Sequence, residues 1–348
     1  RQMEEESEER KRQLEQQQEL LTESLKKNDT WVVLHNGEIY NGMKIKTNKD
    51  GENIFYSNKS DSYKILDLLE KQNPIKVPEF LDGIFGYCAY NKTTKTLYVA
   101  RDQVGVIPLY KVQTENQIWI SSELKAILNI GKPDICLPGF IYSYVGKDCT
   151  VSRFFNGYTH TLGTERYEKG SLYKILEESV NKRVYSDVPW GVLLSGGLDS
   201  SVVCSLAIEN EKISKSYPVV HTFSIGLKGS EDLKRAKDVA DFWKTVHHSI
   251  EFTEEEGFEA LNDVIYAIES YDVTTIRASV PMYLLGKAMK KCGIKMVLSG
   301  EGSDELLGGY LYNHHCPGAK EMHKECVLKM DRLHYHDCLR ANKSLACH

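Results

Sequence analysis

The stretch Ser195-Gly196-Gly197-Leu198-Asp199-Ser200-Ser201 constrains this chain more than any other. A short apolar run, Gly191 to Leu194, stands before it and Ser200 to Ile208 continues after it at helical spacing, so the unit reads strand, glycine turn, helix. Two adjacent glycines let the backbone approach an anion closely, the flanking hydroxyls donate hydrogen bonds, and the helix offers free N–H groups and its positive dipole end. That is phosphate-binding geometry. Asp199 would repel a bare phosphate, so its carboxylate points to Mg²⁺ held on the phosphates. A plain strand-to-helix turn with a Ser/Asp cap uses the same residue types, but the whole string is far more particular. It matches neither the G-x-x-x-x-G-K-[ST] loop nor the G-x-G-x-x-G dinucleotide fingerprint.

At 348 residues the chain exceeds what a single core usually supports, and two domains are expected. A formal net charge of −5 leaves no basic surplus to neutralise a nucleic-acid backbone. No apolar run reaches the ~18 residues of a membrane span, and the Gln/Glu/Arg-rich start is no signal peptide. Nine cysteines, odd in number and without C-x-x-C spacing, favour a reducing compartment, and a cytoplasmic protein is the expectation.

In chain order, Arg1 to Lys27 carries few apolar residues (Met3, Leu14, Leu20, Leu21, Leu25) and reads as a solvated helix lying on the domain. Trp31 to His35 is strand-like and runs into Asn36-Gly37-Glu38-Ile39-Tyr40-Asn41. By propensity Asn-Gly is a hairpin turn. Chemically, a glycine N–H and an asparagine amide are two neutral donors able to meet a developing oxyanion. Ser60-Asp61-Ser62 opens a helix with Ile65, Leu66, Leu68 and Leu69 on its buried face, Ser60 being a good N-cap. Cys88 falls inside a strand and reads as a core residue, while Arg101 and Asp102 read as an ion pair or turn brace. Gly131 to Gly170 reads as an irregular connection, with the domain boundary near Val151 to Lys169. Leu172, Ile175, Leu176 and Val180 mark the helix that leads back to the glycine turn.

Beyond that turn, strands (222–227, 246–252, 295–299) alternate with helices (231–242, 254–268), the pattern of a parallel doubly wound sheet. Ligands of such sheets collect at the carboxyl ends of the strands, where Ile225, Ser299, Gly300 and Glu301 fall. Leu298 to Glu305 with Gly308-Gly309-Tyr310 supplies close backbone approach and three carboxylates, suited to a second Mg²⁺ ligand and a proton acceptor. Tyr271 to Ser279 is a hydroxyl-rich loop with Arg277, able to meet a carboxylate or phosphorus centre, although a helix cap would explain its spacing as well. The histidines and cysteines from His314 to Cys338 lack zinc-ligand spacing and read as helices with core cysteines.

Taken together, these strings resemble known ones. SGGLDSS is similar to the pyrophosphate loop of ATP-pyrophosphatases, NGEIYN with Ser60-Asp61 to the class II glutamine amidotransferase domain, and SGEGSDE to the synthetase domain of the glutamine-hydrolysing asparagine synthetase family. The resemblance covers nearly all of the chain from Trp31 to His348. It implies an N-terminal αββα glutaminase domain of the N-terminal-nucleophile type over 1–150 and a C-terminal doubly wound parallel-sheet ATP-pyrophosphatase domain over 151–348. Asn36, Gly37 and Glu38 would serve glutamine and its oxyanion, and Asp61 its α-amino group. Leu193, Ser195, Gly196, Gly197, Asp199, Ser200, Ile225, Ser299, Gly300, Asp304 and Tyr310 would bind ATP, Asp199 and Asp304 its Mg²⁺. Glu301, Arg277, Thr274 and Thr275 would be catalytic. Glutamine, aspartate and ATP are the implied partners, without nucleic acid or membrane, and a homodimer is compatible.

Two departures accompany the resemblance. The family's N-terminal cysteine nucleophile, the Arg-Gly-Pro segment after it and its carboxylate-binding arginine are missing: the chain opens Arg1-Gln2-Met3, and Cys88 is too deep to supply an α-amine. Its adenylylation lysine, from a later helical region, is also missing. Lost segments are expected rather than a dead domain, because Asn36, Gly37 and Asp61 are retained. The alternatives are a related two-domain ligase such as β-lactam synthetase, or a non-catalytic nucleotide-binding regulator.

Overall fold

A computed structural model describes residues 25–42, 44–47, 53–56, 60–158, 168, 170–184, 186, 188–214 and 219–347. They fall into two units, Arg1–Gly157 and Tyr158–His348, each with its own cores.

The first unit is built from strands β1 (Leu25–Lys27), β2 (Trp31–Ile39), β3 (Lys44–Thr47), β4 (Asn53–Tyr56), β5 (Gly83–Asn91), β6 (Thr96–Arg101), β7 (Tyr110–Gln113), β8 (Ile118–Ser121), β9 (Asp134–Ile135), β10 (Phe140–Val145) and β11 (Asp148–Arg153). Six of them form an antiparallel sheet in the order β1-β2-β5-β6-β10-β11, and β8-β7-β9 form a smaller one. Alternation along the strands sends residues to two different cores. Trp31, Val33, Phe85, Tyr87, Ala89, Ala100 and Ile141 pack under helix α1 (Ser62–Lys71) through its Ile65, Leu66 and Leu69. On the opposite face Val99, Tyr142 and Tyr144 meet Leu109, Cys136, Ile118 and Ile120 of the smaller sheet. A helix layer on two stacked sheets gives three of the four layers of the expected αββα order.

Three expectations need correction here. Of the helix expected over 1–27, only Leu25–Lys27 is described, and it is β1, paired with Leu34 to Val32; Met3, Leu14, Leu20 and Leu21 lie outside the described residues. The turn that propensity alone would put at Asn36-Gly37 does not form: β2 runs through it with Asn36 opposite Gly86 and Gly37 opposite Phe85, which leaves the donor reading open. The irregular connection contains the β10–β11 hairpin, turned at Gly146-Lys147, whose exposed, mixed outer strand hid its periodicity. The cap of α1 is Asp61, which accepts the Ser62 N–H, rather than Ser60. The brace reading of Arg101 and Asp102 is what the structure holds. Arg101 donates to the carbonyls of Ile107, Cys136 and Gly105 at 2.6, 3.1 and 2.7 Å, and Asp102 Oδ1 accepts from Val104, Gly105 and Val106 at 3.0, 2.6 and 3.1 Å.

The second unit opens with α2 (Ser171–Val184) and then alternates: β12 (Trp190–Leu193), α3 (Leu198–Ser214), β13 (His221–Leu227), α4 (Glu231–Trp243), β14 (Val246–Phe252). Next come α5 (Glu254–Glu259), α6 (Leu261–Ile268), α7 (Val273–Lys291), β15 (Met296–Leu298) and α8 (Ser303–Leu307). The sheet is parallel throughout, in the order β14-β13-β12-β15. One face packs on α2, α3 and α4 through Val180, Cys204, Leu206, Ala236 and Ala240; the other packs on α7 through Leu285 and Met289 against Phe223. This is the doubly wound arrangement expected. The helix expected over 254–268 is two, broken at Ala260, and α2 buries Leu176, Val180 and Val184 while Leu172 and Ile175 stay exposed. The loop expected over 271–279 is the start of α7, with Asp272 as its N-cap. Cys316 and Cys326, expected in a core, are half-buried.

Candidate functional site

The strand order reverses at β12: the chain steps outward through β13 and β14, then returns to lay β15 on the other side. At such a switch point two loops diverge and leave a crevice. Here the crevice is a cavity of about 300 Å³. Leu193, Leu194, Ser195, Asp199 and Ser200 line it after β12, Ser224 and Ile225 at the end of β13, and Ser299, Gly300, Glu301, Gly302 and Asp304 after β15. Residues more than 100 positions apart in sequence thus face one space, of a size that suits a small ligand.

The wall after β12 is shaped by its two glycines and its hydroxyls. Gly196 has φ +78°, and a Cβ there would stand 2.5 Å from the Arg235 carbonyl carbon and 2.6 Å from Ala236 N, so α4 can lie against the loop only where there is no side chain. Ser195 Oγ and Ser200 Oγ are 3.0 Å apart, and the Gly197 N–H donates to Ser195 Oγ at 3.3 Å. Ser201 Oγ donates to the Gly197 carbonyl at 2.6 Å, which ties the turn to the first coil of α3. The second loop presses against the first: a Cβ on Gly300 would stand 3.0 Å from Asp199.

That approach sets the electrostatics. Partial burial, the Asp199 carboxylate and Glu305 together push the Asp304 carboxyl above its ordinary value. Two carboxylates brought together across a polar cavity fit a hard divalent cation, and Mg²⁺ commonly takes one or two protein carboxylates with phosphates completing its shell. Among the described residues, no larger group of acidic, histidine or cysteine side chains is gathered as a metal site.

Some expected residues stand elsewhere. Gly196 and Gly197 shape the turn without facing the cavity, and Tyr310 does not line it either: its hydroxyl donates to the buried Glu305. Thr274, Thr275 and Arg277 occupy the first turns of α7, outside the cavity lining. Thr275 is 1% exposed and donates through both N–H and Oγ1 to Asp272 Oδ2 at 2.7 Å, so its contacts here are those of a cap. Conversely, the sequence reading missed Asp232 on α4, Phe223 and Ser224 on β13, and Met282 and Leu285 on α7. Ser224 sits one residue before Ile225 and was findable from it; the α7 residues carry only an ordinary apolar pattern.

In the first unit, Asn36, Gly37 and Glu38 lie near the end of β2, and Asp61 is held beside them. The Ile39 N–H donates to Asp61 Oδ2 at 2.8 Å and the Ser62 N–H to Oδ1 at 2.7 Å. Gly37 has φ +131°, and a Cβ there would stand 2.0 Å from the Ile84 carbonyl oxygen, so only glycine fits this register. Asn36 is exposed while its neighbour His35 points into the core, 3.0 Å from Ser62 Oγ. Asn41 fastens the following turn, donating to the Phe80 carbonyl at 2.9 Å and accepting from the Asp82 N–H at 3.1 Å. Burial pushes the Cys88 thiol up to about 12, as befits a core residue.

A family model described as asparagine synthase matches residues 171–318, and one described as a glutamine amidotransferase domain matches residues 11–129. Among curated proteins, the chain is 42% identical over 332 residues to asparagine synthetase B (glutamine-hydrolysing) of Escherichia coli, covering 91% of this chain and 59% of that protein. It is 43% identical over 346 residues to a probable glutamine-hydrolysing asparagine synthetase of Dictyostelium discoideum, covering 92% and 60%. Against asparagine synthetase 2 (glutamine-hydrolysing) of Oryza sativa it is 44% identical over 321 residues, covering 90% and 54%. The chain spans less than two thirds of the length of each of these relatives. With one match on each unit and such identity along nine tenths of its length, the chain belongs to the glutamine-hydrolysing asparagine synthetase family.

Proposed function

We propose that the protein carrying this chain is a glutamine-dependent asparagine synthetase, a carbon–nitrogen ligase in which the first unit releases ammonia from glutamine and the second uses it. One observation carries the reading: residues from three strand ends, among them Ser195, Asp199 and Ser200, Ile225, and Ser299, Glu301 and Asp304, converge on one cavity at the switch point of a parallel sheet. In this reading Leu193 and Ile225 bound the adenine, Ser195, Ser200 and the α3 N-terminus receive the β and γ phosphates, and Gly300 permits close approach. Asp199 and Asp304 would hold Mg²⁺, which supplies charge neutralisation at the phosphates. Gripping the β and γ phosphates makes pyrophosphate the leaving group, so an aspartate side-chain oxygen attacks the α phosphorus and an acyl adenylate forms. Ammonia then attacks the acyl carbon, Glu301 takes a proton from it, and AMP leaves with the oxygen that aspartate contributed.

In the first unit, the Asn36 amide and the Gly37 N–H would meet the oxyanion of the glutamine amide, and Asp61 its α-amino group. Thr274, Thr275 and Arg277 are assigned to catalysis by family resemblance, with Arg277 suited to a carboxylate or to the phosphorus centre of the adenylylation step. The second reading, a regulator that binds nucleotide without turnover, has the retained Glu301 against it. A cytoplasmic setting goes with the proposal. Cys88, Cys136, Cys149, Cys204, Cys292, Cys316 and Cys326 are free, and no described helix is long and apolar enough to cross a membrane.

Product analysis on the full-length protein tests the reading. With aspartate and Mg-ATP, asparagine and AMP are expected from either glutamine or ammonium, and Asp199→Ala should abolish both products. Asparagine from ammonium alone would restrict the proposal to the second unit; no AMP from either donor would leave the regulator.

A further inference from the structure

The helix-facing side of β2 holds a polar group where apolar packing would serve. His35 is 6% exposed amid Val33, Ile39, Ile65 and Leu66. Its Nδ1 lies 3.0 Å from Ser62 Oγ and 3.9 Å from Asp61 Oδ2, while its Nε2 is buried with no hydrogen-bond partner among the described residues. Directly opposite on β5, Tyr87 is 1% exposed, and its hydroxyl has no partner among them either. Unpaired buried polar atoms cost stability, and a leucine in place of His35 would avoid that cost. Something other than packing therefore accounts for the imidazole.

The hydrogen bonds indicate what it does. Two ties join the N-terminus of α1 to β2: the Ile39 N–H to Asp61 Oδ2 at 2.8 Å, and His35 Nδ1 to Ser62 Oγ. Ser60 Oγ closes the cluster, donating to Asp61 Oδ1 at 3.2 Å and to Ser62 Oγ at 3.3 Å. Burial pushes the imidazole below its usual value against the pull of Asp61, so the ring is neutral and has one N–H to place. An unpaired N–H costs more than a bare lone pair, and among the described residues only Nδ1 faces a partner, so the proton is placed on Nδ1 and donated to Ser62 Oγ.

We propose that His35 is a positioning residue for glutamine recognition: by holding Ser62 it fixes the first turn of α1 on β2 and keeps Asp61 in register with Asn36 and Gly37. The proposal rests on the reading of Asp61 as the group that receives the α-amino group of glutamine. Without the His35 tie, α1 is fastened to this end of β2 through the Asp61 carboxylate itself, which then has to serve as both anchor and ligand.

Calorimetric titration of the full-length protein with L-glutamine and with its des-amino analogue, 4-carbamoylbutanoate, separates the two ideas. Wild type should prefer glutamine, and Asp61→Asn should lose that preference. His35→Leu should bind glutamine about tenfold more weakly, the scale of one lost hydrogen bond, with the analogue unchanged. His35→Asn, whose amide N–H can replace Nδ1–H, should retain most of the preference, and Ser62→Ala should copy His35→Leu should the latter fold poorly. Wild-type preference in His35→Leu or Ser62→Ala, or an equal loss of both ligands, would overturn the positioning role alone. A wild type that binds neither ligand, or does not distinguish them, would overturn the Asp61 reading and this proposal with it.

Discussion

The adjacent glycines of the β12 loop should respond in opposite ways to the same substitution. Gly196→Ala places a methyl group in a positive-φ conformation, which costs about 1–2 kcal/mol for an L residue. Its Cβ also meets backbone atoms of Arg235 and Ala236 at 2.5 and 2.6 Å, and backbone cannot rotate aside, so α4 must shift. Overpacking of that kind costs about 1–3 kcal/mol, giving a total of about 2–5 kcal/mol. Gly197→Ala has neither problem: its Cβ would meet only Ser195 Oγ, at 3.3 Å, and it should change stability by less than about 1 kcal/mol. Urea unfolding of the two variants, followed by fluorescence of Trp190 and Trp243 in the second unit, measures the difference. If Gly196→Ala costs no more than Gly197→Ala, the close packing of α4 on the phosphate loop is refuted.

Asp304→Asn should stabilise the ligand-free chain at neutral pH while removing its stabilisation by Mg-ATP, as thermal melts with and without nucleotide would show. The raised carboxyl of Asp304 gives the sign: its protonated form is favoured by the fold, so that contribution is present below the ordinary carboxylate range and lost as pH rises through the raised value. The wild type should therefore lose more stability than the variant over this interval. Arg101→Met should cost about 3–5 kcal/mol by urea unfolding, since three carbonyls lose a buried donor; a cost below about 1 kcal/mol would contradict the brace. In the folded chain, alkylation at mildly alkaline pH should label the exposed Cys149 and Cys292 quickly. Cys136, pushed by burial to about 12, and Cys204, to about 11, should stay unlabelled; equal labelling of all four would refute the burial assignments.

The sequence revealed most where local chemistry and fold coincide. The β12 turn could be read from Gly196-Gly197 because a positive φ and a close helix approach both demand glycine. The parallel strand β12 could be read from its apolar run, since it lies buried inside the sheet. At Asn36-Gly37 propensity alone favours a turn, while pairing with Gly86 and Phe85 carries the strand straight through. The β10–β11 hairpin was hidden because β11 is largely exposed and lacks apolar alternation. Asp232, Met282 and His35 could not have been found locally, as their surroundings are set by strand order and helix docking rather than by neighbours in sequence.

The central claim is that the second unit activates aspartate by transferring the adenylyl group of ATP to its side chain. Heavy-oxygen-labelled aspartate tests it directly: the full-length protein, given labelled side-chain carboxylate, Mg-ATP and ammonium, should release AMP carrying one labelled oxygen for each asparagine formed. ADP as the nucleotide product, or AMP without label, would contradict the account.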